Sequence, residues 1–211
     1  DRISGSMGRI GCYSFYPTKN LGGMGDGGLL TTNDDQLSKR LRKLAAHGME
    51  PLYYHSEMGI NSRLDTFQAA VLGIKLKQLK SWADRRRHNA ARYNKLLGNA
   101  PMADRLTLPA SSENNLHVWN QYVVRVPDGR RDALKSWLAE NNIGSEIYYP
   151  VPLHRQECMI GKCLVPHALP HTEQACREVL SLPCFAELTD DELTRVADCC
   201  EAFFSASAIA A

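Results

Sequence analysis

A chain of 211 residues with 44% hydrophobic and 23% charged residues has an ordinary globular composition and can bury a sizeable core in one large or two small domains. Its net charge of +2 argues against nucleic acid and membrane surfaces as partners. No apolar run approaches the roughly 20 residues of a membrane span, and the start lacks the pattern of a signal peptide. Seven scattered cysteines without a Cys-x-x-Cys pair indicate reduced thiols and a cytoplasmic protein.

Two short apolar runs bracket a glycine-rich loop near the start of the chain. Residues 10–16 predict a short buried strand, and residues 29–32 predict the next strand. Pro17 ends the first strand because it has no N–H to donate to a ladder. Lys19 therefore follows a strand end on a loop of small residues, where a lysine can be held, partly desolvated and made nucleophilic.

Helical patterns follow this loop. Asn33 is a good N-cap for a helix that carries an apolar stripe and ends at Gly48. Ser62 and Asp65 have the spacing of a capping box, which predicts a second helix from near residue 63. The arginine-rich run over residues 80–95 is also helical, and its charges predict a solvated face.

A polar linker over residues 98–115 predicts a domain boundary, which we place between residues 1–98 and 99–211. Beyond the linker, residues 118–126 predict a strand and residues 133–138 the apolar face of a helix. Residues 146–149 predict a further strand, so that this region has the strand–helix–strand core of a small α/β domain.

The last part of the chain predicts two helices. Ala175, Val179 and Leu180 mark a short helix, and residues 181–183 an extended piece after it. Thr189 and Glu192 form a capping box that starts the final helix, which runs through Phe204.

The loop that carries Lys19 supports a family resemblance. Residues 14–22, Ser-Phe-Tyr-Pro-Thr-Lys-Asn-Leu-Gly, followed by Gly-Asp-Gly-Gly at 25–28, resemble the lysine motif of the DegT/DnrJ/EryC1/StrS family of sugar aminotransferases. These enzymes use pyridoxal phosphate. The resemblance implies that Lys19 forms the Schiff base with the cofactor and that Ser14 binds the cofactor phosphate.

A second segment resembles the same family. Residues 59–70, Gly-Ile-Asn-Ser-Arg-Leu-Asp-Thr-Phe-Gln-Ala-Ala, are similar to a family motif whose asparagine reaches the cofactor phosphate of the neighbouring subunit. The resemblance gives this role to Asn61 and implies a homodimer with shared active sites.

A third segment, residues 143–154, resembles the part of the family's small domain that lies near the sugar nucleotide. The resemblance makes Tyr148, Tyr149 and His154 candidates for substrate contact. Many members have His-Tyr-Pro where this chain has Tyr-Tyr-Pro at 148–150.

The implied fold is α/β and corresponds to the C-terminal portion of a fold-type I pyridoxal phosphate-dependent transferase. Residues 1–98 would be the C-terminal part of the cofactor-binding large domain, and residues 99–211 the small α/β domain. In the family an N-terminal part precedes the lysine. It supplies the aspartate that pairs with the pyridinium nitrogen, and we expect these 211 residues to lack it.

The implied function is pyridoxal phosphate-dependent transamination of a nucleotide-linked keto-sugar to an amino sugar, with glutamate as amino donor. The form of residues 16–22 is closer to members that aminate a 3-keto group. The related dehydratases replace the lysine with histidine, so Lys19 argues against them.

Two alternatives stand beside this prediction. The chain could be a non-catalytic remnant or interaction domain without the N-terminal half of the cofactor site. It could also be a zinc-binding module, because a run of soft and imidazole ligands, His154, Cys158, Cys163 and His167, is dense in groups that bind zinc.

Overall fold

The computed structural model describes residues 2–99 and 102–208 and divides between Lys80 and Ser81. The first unit is Asp1–Lys80 and the second unit is Ser81–Ala211. The sequence predicts a boundary after residue 98. The observed division instead falls two residues into the long arginine-rich helix, which spans Leu79–Leu97. Tyr93 and Leu97 give the physical reason, because both lie in the hydrophobic core of the second unit.

Two strands and two helices make up the first unit. They are β1 (Gly11–Ser14), β2 (Gly28–Thr31), α1 (Asp35–Ala45) and α2 (Thr66–Leu76). The strands pair antiparallel, with Ser14 opposite Gly28 at the end from which the glycine-rich loop leaves. This pairing fixes both ends of that loop.

The start of α1 is set by a side-chain cap. Asp34 is extended, and its carboxylate accepts a hydrogen bond of 3.0 Å from the Leu37 backbone N–H. That bond, helped by Arg9, holds the pKa of Asp34 below its ordinary value. The sequence predicts Asn33 as this cap, and the structure places the role one residue later.

The first unit leaves most of its apolar side chains uncovered. Among residues 2–80, Leu72 is the single large hydrophobic residue that is buried. Leu29 and Leu30 of β2 are 49% and 50% exposed. The prediction of a buried strand over residues 10–16 is therefore wrong for this chain, because only Gly11 of β1 is buried. Apolar composition shows that a strand is suited to burial, but not which segment covers it.

The described part of the second unit has four helices and two strands, together with two short 3₁₀ turns; the first helix begins two residues before the unit. They are α3 (Leu79–Leu97), β3 (Tyr122–Arg125), α4 (Arg131–Glu140), the 3₁₀ turns Leu153–Arg155 and Glu157–Met159, α5 (Pro170–Glu178), β4 (Val179–Leu182) and α6 (Asp190–Ala208). β3 and β4 pair antiparallel, with Tyr122 opposite Leu182. The predicted α/β character of this region is confirmed.

A continuous hydrophobic core fills the second unit. Its fully buried members come from α3, from both strands and the residue after β3, from α4 and from α6: Tyr93, Leu97, Tyr122, Val124, Val126, Leu134, Leu138, Leu180, Leu193 and Cys200. The Tyr93 hydroxyl donates to the Pro183 carbonyl at 2.9 Å, and the Tyr122 hydroxyl donates to Asn94 Oδ1 at 2.6 Å. Burial raises the pKa of both phenols, so both remain neutral donors.

The arginines of α3 do more than face solvent. Arg86 Nη1 donates to three carbonyl oxygens, those of Trp119, Asn120 and Cys184, at 3.1, 3.1 and 2.6 Å. Arg85 donates to the Leu188 carbonyl at 2.9 Å. The prediction of a solvated arginine face is wrong at Arg86, which is partly buried, whereas Arg85 is exposed as predicted. Both guanidinium groups fasten α3 to the chain around residues 184–188.

Other predicted elements have mixed outcomes. The Thr189 capping box is confirmed: the Thr189 hydroxyl accepts from the Glu192 N–H at 3.3 Å, and the Glu192 carboxylate accepts from the Thr189 N–H at 2.8 Å.

The predicted strand at 146–149 is reduced to one bridge between Glu146 and Ser181, since Tyr149 turns to a φ of 62°. Val179 and Leu180, predicted as helical, lie in β4.

No helix among the described residues combines the length and apolar character that crossing a membrane requires.

Candidate active site

Lys19 lies at the end of a tight turn that follows β1. The Lys19 N–H donates to the Tyr16 carbonyl at 2.9 Å, which closes a four-residue turn with Pro17 at its second position. Proline favours that position because its fixed φ matches the turn. Lys19 itself is partly buried. The predicted placement of the lysine, on a loop directly after a strand, is confirmed.

Backbone hydrogen bonds close the loop around this turn. The Phe15 N–H donates to the Gly27 carbonyl at 2.8 Å, and the Gly23 N–H donates to the Phe15 carbonyl at 2.7 Å. Gly22 is required here, since a Cβ at this position would lie 2.3 Å from the Pro17 carbonyl oxygen. The loop that presents Lys19 therefore returns on itself and has a defined shape.

Two side chains of α2 also hold the loop. Gln68 Oε1 accepts a hydrogen bond of 2.8 Å from the Met24 N–H, and Lys75 Nζ donates to the Gly22 carbonyl. The sequence reasoning missed both residues. Gln68, Leu72 and Lys75 are spaced i, i+4, i+7 on one helix face, and two polar side chains beside a buried leucine were the signal that could have identified them.

Ser14 ends β1, five residues before Lys19. Its Oγ accepts a hydrogen bond of 3.3 Å from the Tyr16 N–H, which leaves the hydroxyl proton for another acceptor. The ammonium group of Lys19 makes no hydrogen bond or ion pair within residues 2–99 and 102–208. A primary amine and a hydroxyl donor on one short loop suit a ligand that carries an aldehyde and a phosphate, so these two residues fit pyridoxal phosphate.

Asn61 lies in a segment that is tied to the end of α1. The Ile60 N–H donates to the Leu44 carbonyl and the Ser62 N–H to the Ala45 carbonyl, both at 2.9 Å. Because Ser62 is engaged in this way, the predicted capping box of Ser62 and Asp65 does not form. α2 begins only at Thr66, and Asp65 makes no side-chain cap bond.

A cleft of about 850 Å³ opens between β2, α1 and residues 61–64. Asn61, Arg63 and Arg42 line it, together with the apolar side chains Leu30 and Leu41. Ser14 and Lys19 are not part of its lining. Ser14 ends β1 and Lys19 follows on the loop, whereas Asn61 lines the cleft, which also includes Asp26 and Gly27 from the far end of that loop.

The loop over residues 47–59 is anchored by ion pairs at its base. Glu57 contacts Lys43 Nζ at 2.6 Å and Arg40 Nε at 2.9 Å. These two cations, Lys43 first, hold the pKa of Glu57 below its ordinary value. Gly48 and Gly59 allow the close approach of the loop ends, since a Cβ on Gly59 would lie 2.2 Å from the Gly48 nitrogen.

The candidate substrate residues of the second unit lie at two places. Tyr148 and Tyr149 line a shallow groove of about 430 Å³ beside His171, and Tyr149 is 73% exposed. His154 lines a different pocket of about 300 Å³ among apolar side chains such as Met159. The structure therefore groups the two tyrosines and separates His154 from them.

His154 has a partner within the second unit. Its Nε2 lies 3.2 Å from Glu173 Oε1, and Arg155 donates to the same carboxylate oxygen at 2.9 Å. The bonds from His154 and Arg155 hold the pKa of Glu173 below its ordinary value. The arrangement fastens the 3₁₀ turn Leu153–Arg155 to α5.

The ligands that the sequence suggests for zinc do not converge. His154, Cys163 and His167 line the same apolar pocket, but Cys158 is exposed outside it. Within residues 2–99 and 102–208, no three side chains of His, Cys, Asp or Glu are grouped closely enough to hold a metal ion. The described structure therefore gives the zinc alternative no support.

Comparison with known sequences agrees with the lysine motif. The model of the DegT/DnrJ/EryC1/StrS aminotransferase family matches residues 1–201. A pleiotropic regulatory protein of Geobacillus stearothermophilus is 43% identical over 89% of this chain and 50% of its own length. A UDP-N-acetyl-3-dehydro-alpha-D-glucosamine 3-aminotransferase of Acidithiobacillus ferrooxidans is 40% identical over 92% of this chain and 50% of its own length. The chain spans about half the length of these curated relatives.

Solved structures show the same relationship. An aminotransferase of this family from Brucella abortus superposes with a TM-score of 0.86 and 38% identity, over 94% of this chain and 52% of that one. DesV of S. venezuelae, solved with a ketimine intermediate, gives a TM-score of 0.86 and 39% identity over 96% of this chain and 53% of that one. The fold is therefore the α/β fold of the fold-type I pyridoxal phosphate-dependent transferases, over about half of their length. With its lysine loop, its asparagine segment and these matches, the chain belongs to the DegT/DnrJ/EryC1/StrS aminotransferase family.

Proposed function

We propose that this chain carries the lysine-bearing part of a pyridoxal phosphate-dependent aminotransferase that converts a nucleotide-linked keto-sugar to an amino sugar, with glutamate as amino donor. The observation that carries the proposal is the closed loop after β1. It presents Lys19 five residues from the Ser14 hydroxyl, in a chain that matches the family model over residues 1–201. A lysine held on a defined loop after a strand is suited to bond covalently with a carbonyl group.

When bound, pyridoxal phosphate supplies the electron sink that allows a proton to leave the carbon next to an amino group. Lys19 would provide the amine that holds the aldehyde carbon of this cofactor. With an amino donor bound in its place, Lys19 Nζ would take a proton from the α-carbon of the donor and deliver it to the carbon that carried the aldehyde. Ser14 would help to hold the cofactor phosphate by donating a hydrogen bond from its hydroxyl.

Asn61 would complete the phosphate site from a second copy of the chain, in a homodimer with two shared sites. Asn61 is exposed, and its backbone is fixed between two hydrogen-bonded neighbours, so it is presented outward from the end of α1. It lines a cleft that contains neither Ser14 nor Lys19. Its exposure leaves the Asn61 side chain accessible to another copy.

Named relatives support a sugar nucleotide as substrate. One relative is named a dTDP-3-amino-3,4,6-trideoxy-alpha-D-glucose transaminase of Streptomyces venezuelae, at 40% identity over 93% of this chain and 51% of its own length. The Acidithiobacillus ferrooxidans relative also carries a 3-aminotransferase name. These names support transfer at the sugar C3 for this chain.

Tyr148 and Tyr149 are the stronger candidates for substrate contact in the second unit. Both line an open groove, and Tyr149 keeps a φ of 62°, a conformation that an L-residue adopts only when its surroundings require it. His154 is a weaker candidate, because its side chain is 13% exposed and its Nε2 is engaged with Glu173. For the domains of the family fold, we propose residues 1–98 as the end of the large domain and 99–211 as the small domain. In this division α3 belongs to the large domain, although its Tyr93 and Leu97 pack in the core of the second unit.

Trapping with borohydride tests the proposed role of Lys19. The 211-residue chain is incubated with millimolar pyridoxal phosphate, reduced with borohydride, and digested for peptide mapping. We expect the reduced adduct mainly on Lys19, and weaker labelling of Lys19 in a Ser14→Ala variant, because the phosphate loses a donor. Labels spread evenly over exposed lysines, or no label on Lys19, would contradict the proposal.

A non-catalytic interaction domain is the second candidate. The observation that favours it is the uncovered apolar surface of the first unit, where Phe67 is 65% and Met58 98% exposed. An interaction domain would bind its partner protein with the same stoichiometry in a Lys19→Ala variant as in the unaltered chain. Pyridoxal phosphate and borohydride would label its lysines without preference. Selective labelling of Lys19 separates the two functions.

A further inference from the structure

The side chain of Asn61 has a neighbour that fixes its direction. Arg63 Nε donates a hydrogen bond to Asn61 Oδ1 at 3.1 Å. Both residues line the cleft of the first unit and both are exposed. Among the described residues, the Asn61 carboxamide has this one side-chain hydrogen bond.

The chemistry of the two groups leaves one arrangement. A carboxamide has an acceptor oxygen on one side and an NH₂ group on the other, whereas a guanidinium group has donors and no acceptor. The oxygen of Asn61 must therefore face Arg63, because the opposite orientation would set two donors against each other. The Asn61 NH₂ group is turned away from Arg63, and its two N–H bonds remain for another acceptor.

The backbone leaves little other freedom at this position. Hydrogen bonds from Ile60 to Leu44 and from Ser62 to Ala45 hold the peptide groups on either side of Asn61, and Asn61 itself bridges to Ala46. With the backbone held, rotation of the side chain is the freedom that remains. The bond from Arg63 restricts that rotation.

We propose that Arg63 is a positioning residue that turns the amide NH₂ group of Asn61 toward a phosphoryl oxygen. The proposal rests on the proposed function, in which Asn61 donates to the cofactor phosphate of a second copy. An asparagine alone could present either its oxygen or its NH₂ group, and only the NH₂ group donates to a phosphoryl oxygen; the bond from Arg63 selects that orientation. Preorganised donors of this kind cost less entropy when the anion arrives.

Side-chain nuclear magnetic resonance tests the positioning directly, in the 211-residue chain without added ligand. The ¹⁵N relaxation of the Asn61 NH₂ group is compared among the unaltered chain, Arg63→Leu and Arg42→Leu. Arg42 lines the same cleft but makes no hydrogen bond to Asn61 among the described residues. Arg42→Leu therefore removes one positive charge from the cleft and leaves the bond to Asn61 in place. We expect the Asn61 NH₂ group to become mobile in Arg63→Leu and to stay ordered in Arg42→Leu. An NH₂ group that is equally mobile in all three chains would overturn the proposal.

A second arm uses inorganic phosphate as the probe and follows its binding by the shift of the same NH₂ group. Loss of one oriented hydrogen bond predicts about fivefold weaker binding in Arg63→Leu. The same two substitutions are then made in an Asn61→Ala variant, where the backbone amide signal of Ser62 reports phosphate binding. There we expect Arg63→Leu to weaken phosphate binding no more than Arg42→Leu does. Equal losses with and without Asn61 would show that Arg63 acts only through its charge, against the proposal.

The two arms separate this inference from the proposed function. If phosphate does not shift the Asn61 NH₂ group of the unaltered chain, the proposed phosphate role of Asn61 fails, and with it the purpose assigned to Arg63. The relaxation comparison still decides whether Arg63 orients the amide. If phosphate binds but Arg63→Leu changes neither mobility nor affinity, the phosphate role stands and the positioning role is wrong.

Discussion

The two units of the chain differ in how they cover their apolar side chains. In the second unit, residues from α3, β3, α4, β4 and α6 enclose one another in a continuous core. In the first unit, Leu72 is the one large hydrophobic residue buried among residues 2–80, while β2 and α2 present leucine, phenylalanine and isoleucine to solvent. Among the described residues, apolar side chains are therefore enclosed in the second unit and uncovered in the first.

The difference matters for function because the residues of the candidate site lie in the unit without its own core. Lys19, Ser14 and Asn61 all belong to the first unit. Their segments are held by hydrogen bonds from the backbone and from side chains of α2, and few buried apolar side chains support them. We therefore expect the second unit to set the stability of the chain, and the first unit to gain order when another polypeptide segment covers it.

Core truncation gives the largest expected contrast between the units. Leu180→Ala in β4 removes a fully buried side chain and should lower the free energy of unfolding by about 2–5 kcal/mol. Leu29→Ala in β2 removes a side chain that is 49% exposed and should cost less than about 1 kcal/mol. Urea unfolding followed by far-ultraviolet circular dichroism measures both. Equal losses would contradict the contrast between the units.

The arginines of α3 test whether polar contacts also stabilise the second unit. Arg86→Met leaves three carbonyl oxygens without their donor and should cost roughly 2–3 kcal/mol. Arg87→Met is the matched control, because Arg87 pairs with the exposed Asp84 of its own helix and should cost little. All three tryptophans of the chain lie in the second unit, so tryptophan fluorescence reports its unfolding. Similar midpoints for the two variants would argue against a structural role of Arg86.

A glycine exchange in the first unit should affect the site and leave the second unit intact. Gly22→Ala places a Cβ 2.3 Å from the Pro17 carbonyl oxygen, so the loop must open and the borohydride labelling of Lys19 should fall severalfold. Gly73→Ala is the control: no atom lies within 4 Å of its added Cβ, and alanine favours the helix by up to about 1 kcal/mol. Unchanged labelling in Gly22→Ala would show that the closed loop is not needed to present Lys19.

The smallest expected effect is a pH dependence of the loop over residues 47–59. Lys43 and Arg40 lower the folded-state pKa of Glu57, so its contribution to stability is present above the ordinary value of 4.5 and is lost as pH falls through the lowered pKa. Amide exchange at Gly48 and Ser56, whose N–H groups are hydrogen-bonded, should increase over that acid range after correction for intrinsic rates. Glu57→Gln should remove the dependence, whereas Glu50→Gln should retain it. A flat profile in the unaltered chain would refute the anchoring role.

The sequence predicts best those elements whose determinants are local. The Thr189 capping box forms because both partners lie within one turn of α6. The similar pair Ser62 and Asp65 fails because the Ser62 N–H is taken by the carbonyl of Ala45, seventeen positions earlier. No local pattern contains that competing bond.

The candidate site was predictable where a motif carries it. The motif and the strand before it predict where Ser14 and Lys19 lie. The structure places Ser14 at the end of β1 and Lys19 on the closed loop that follows. Their support from Gln68 and Lys75 was not foreseen, because it comes from a helix more than forty residues away. The predicted burial of β1 was wrong, because apolar residues indicate that a strand is suited to burial but do not identify the segment that packs over it.

Native-state hydrogen exchange tests the central contrast most directly. In the 211-residue chain, we expect the amides of β3, α4 and α6 to exchange together, at the rate set by global unfolding of the second unit. The paired amides of β1 and β2 should exchange orders of magnitude faster, because few buried contacts oppose their opening. Equal protection of β1, β2 and the second unit would contradict the account, since it would show that the first unit holds a stable core of its own.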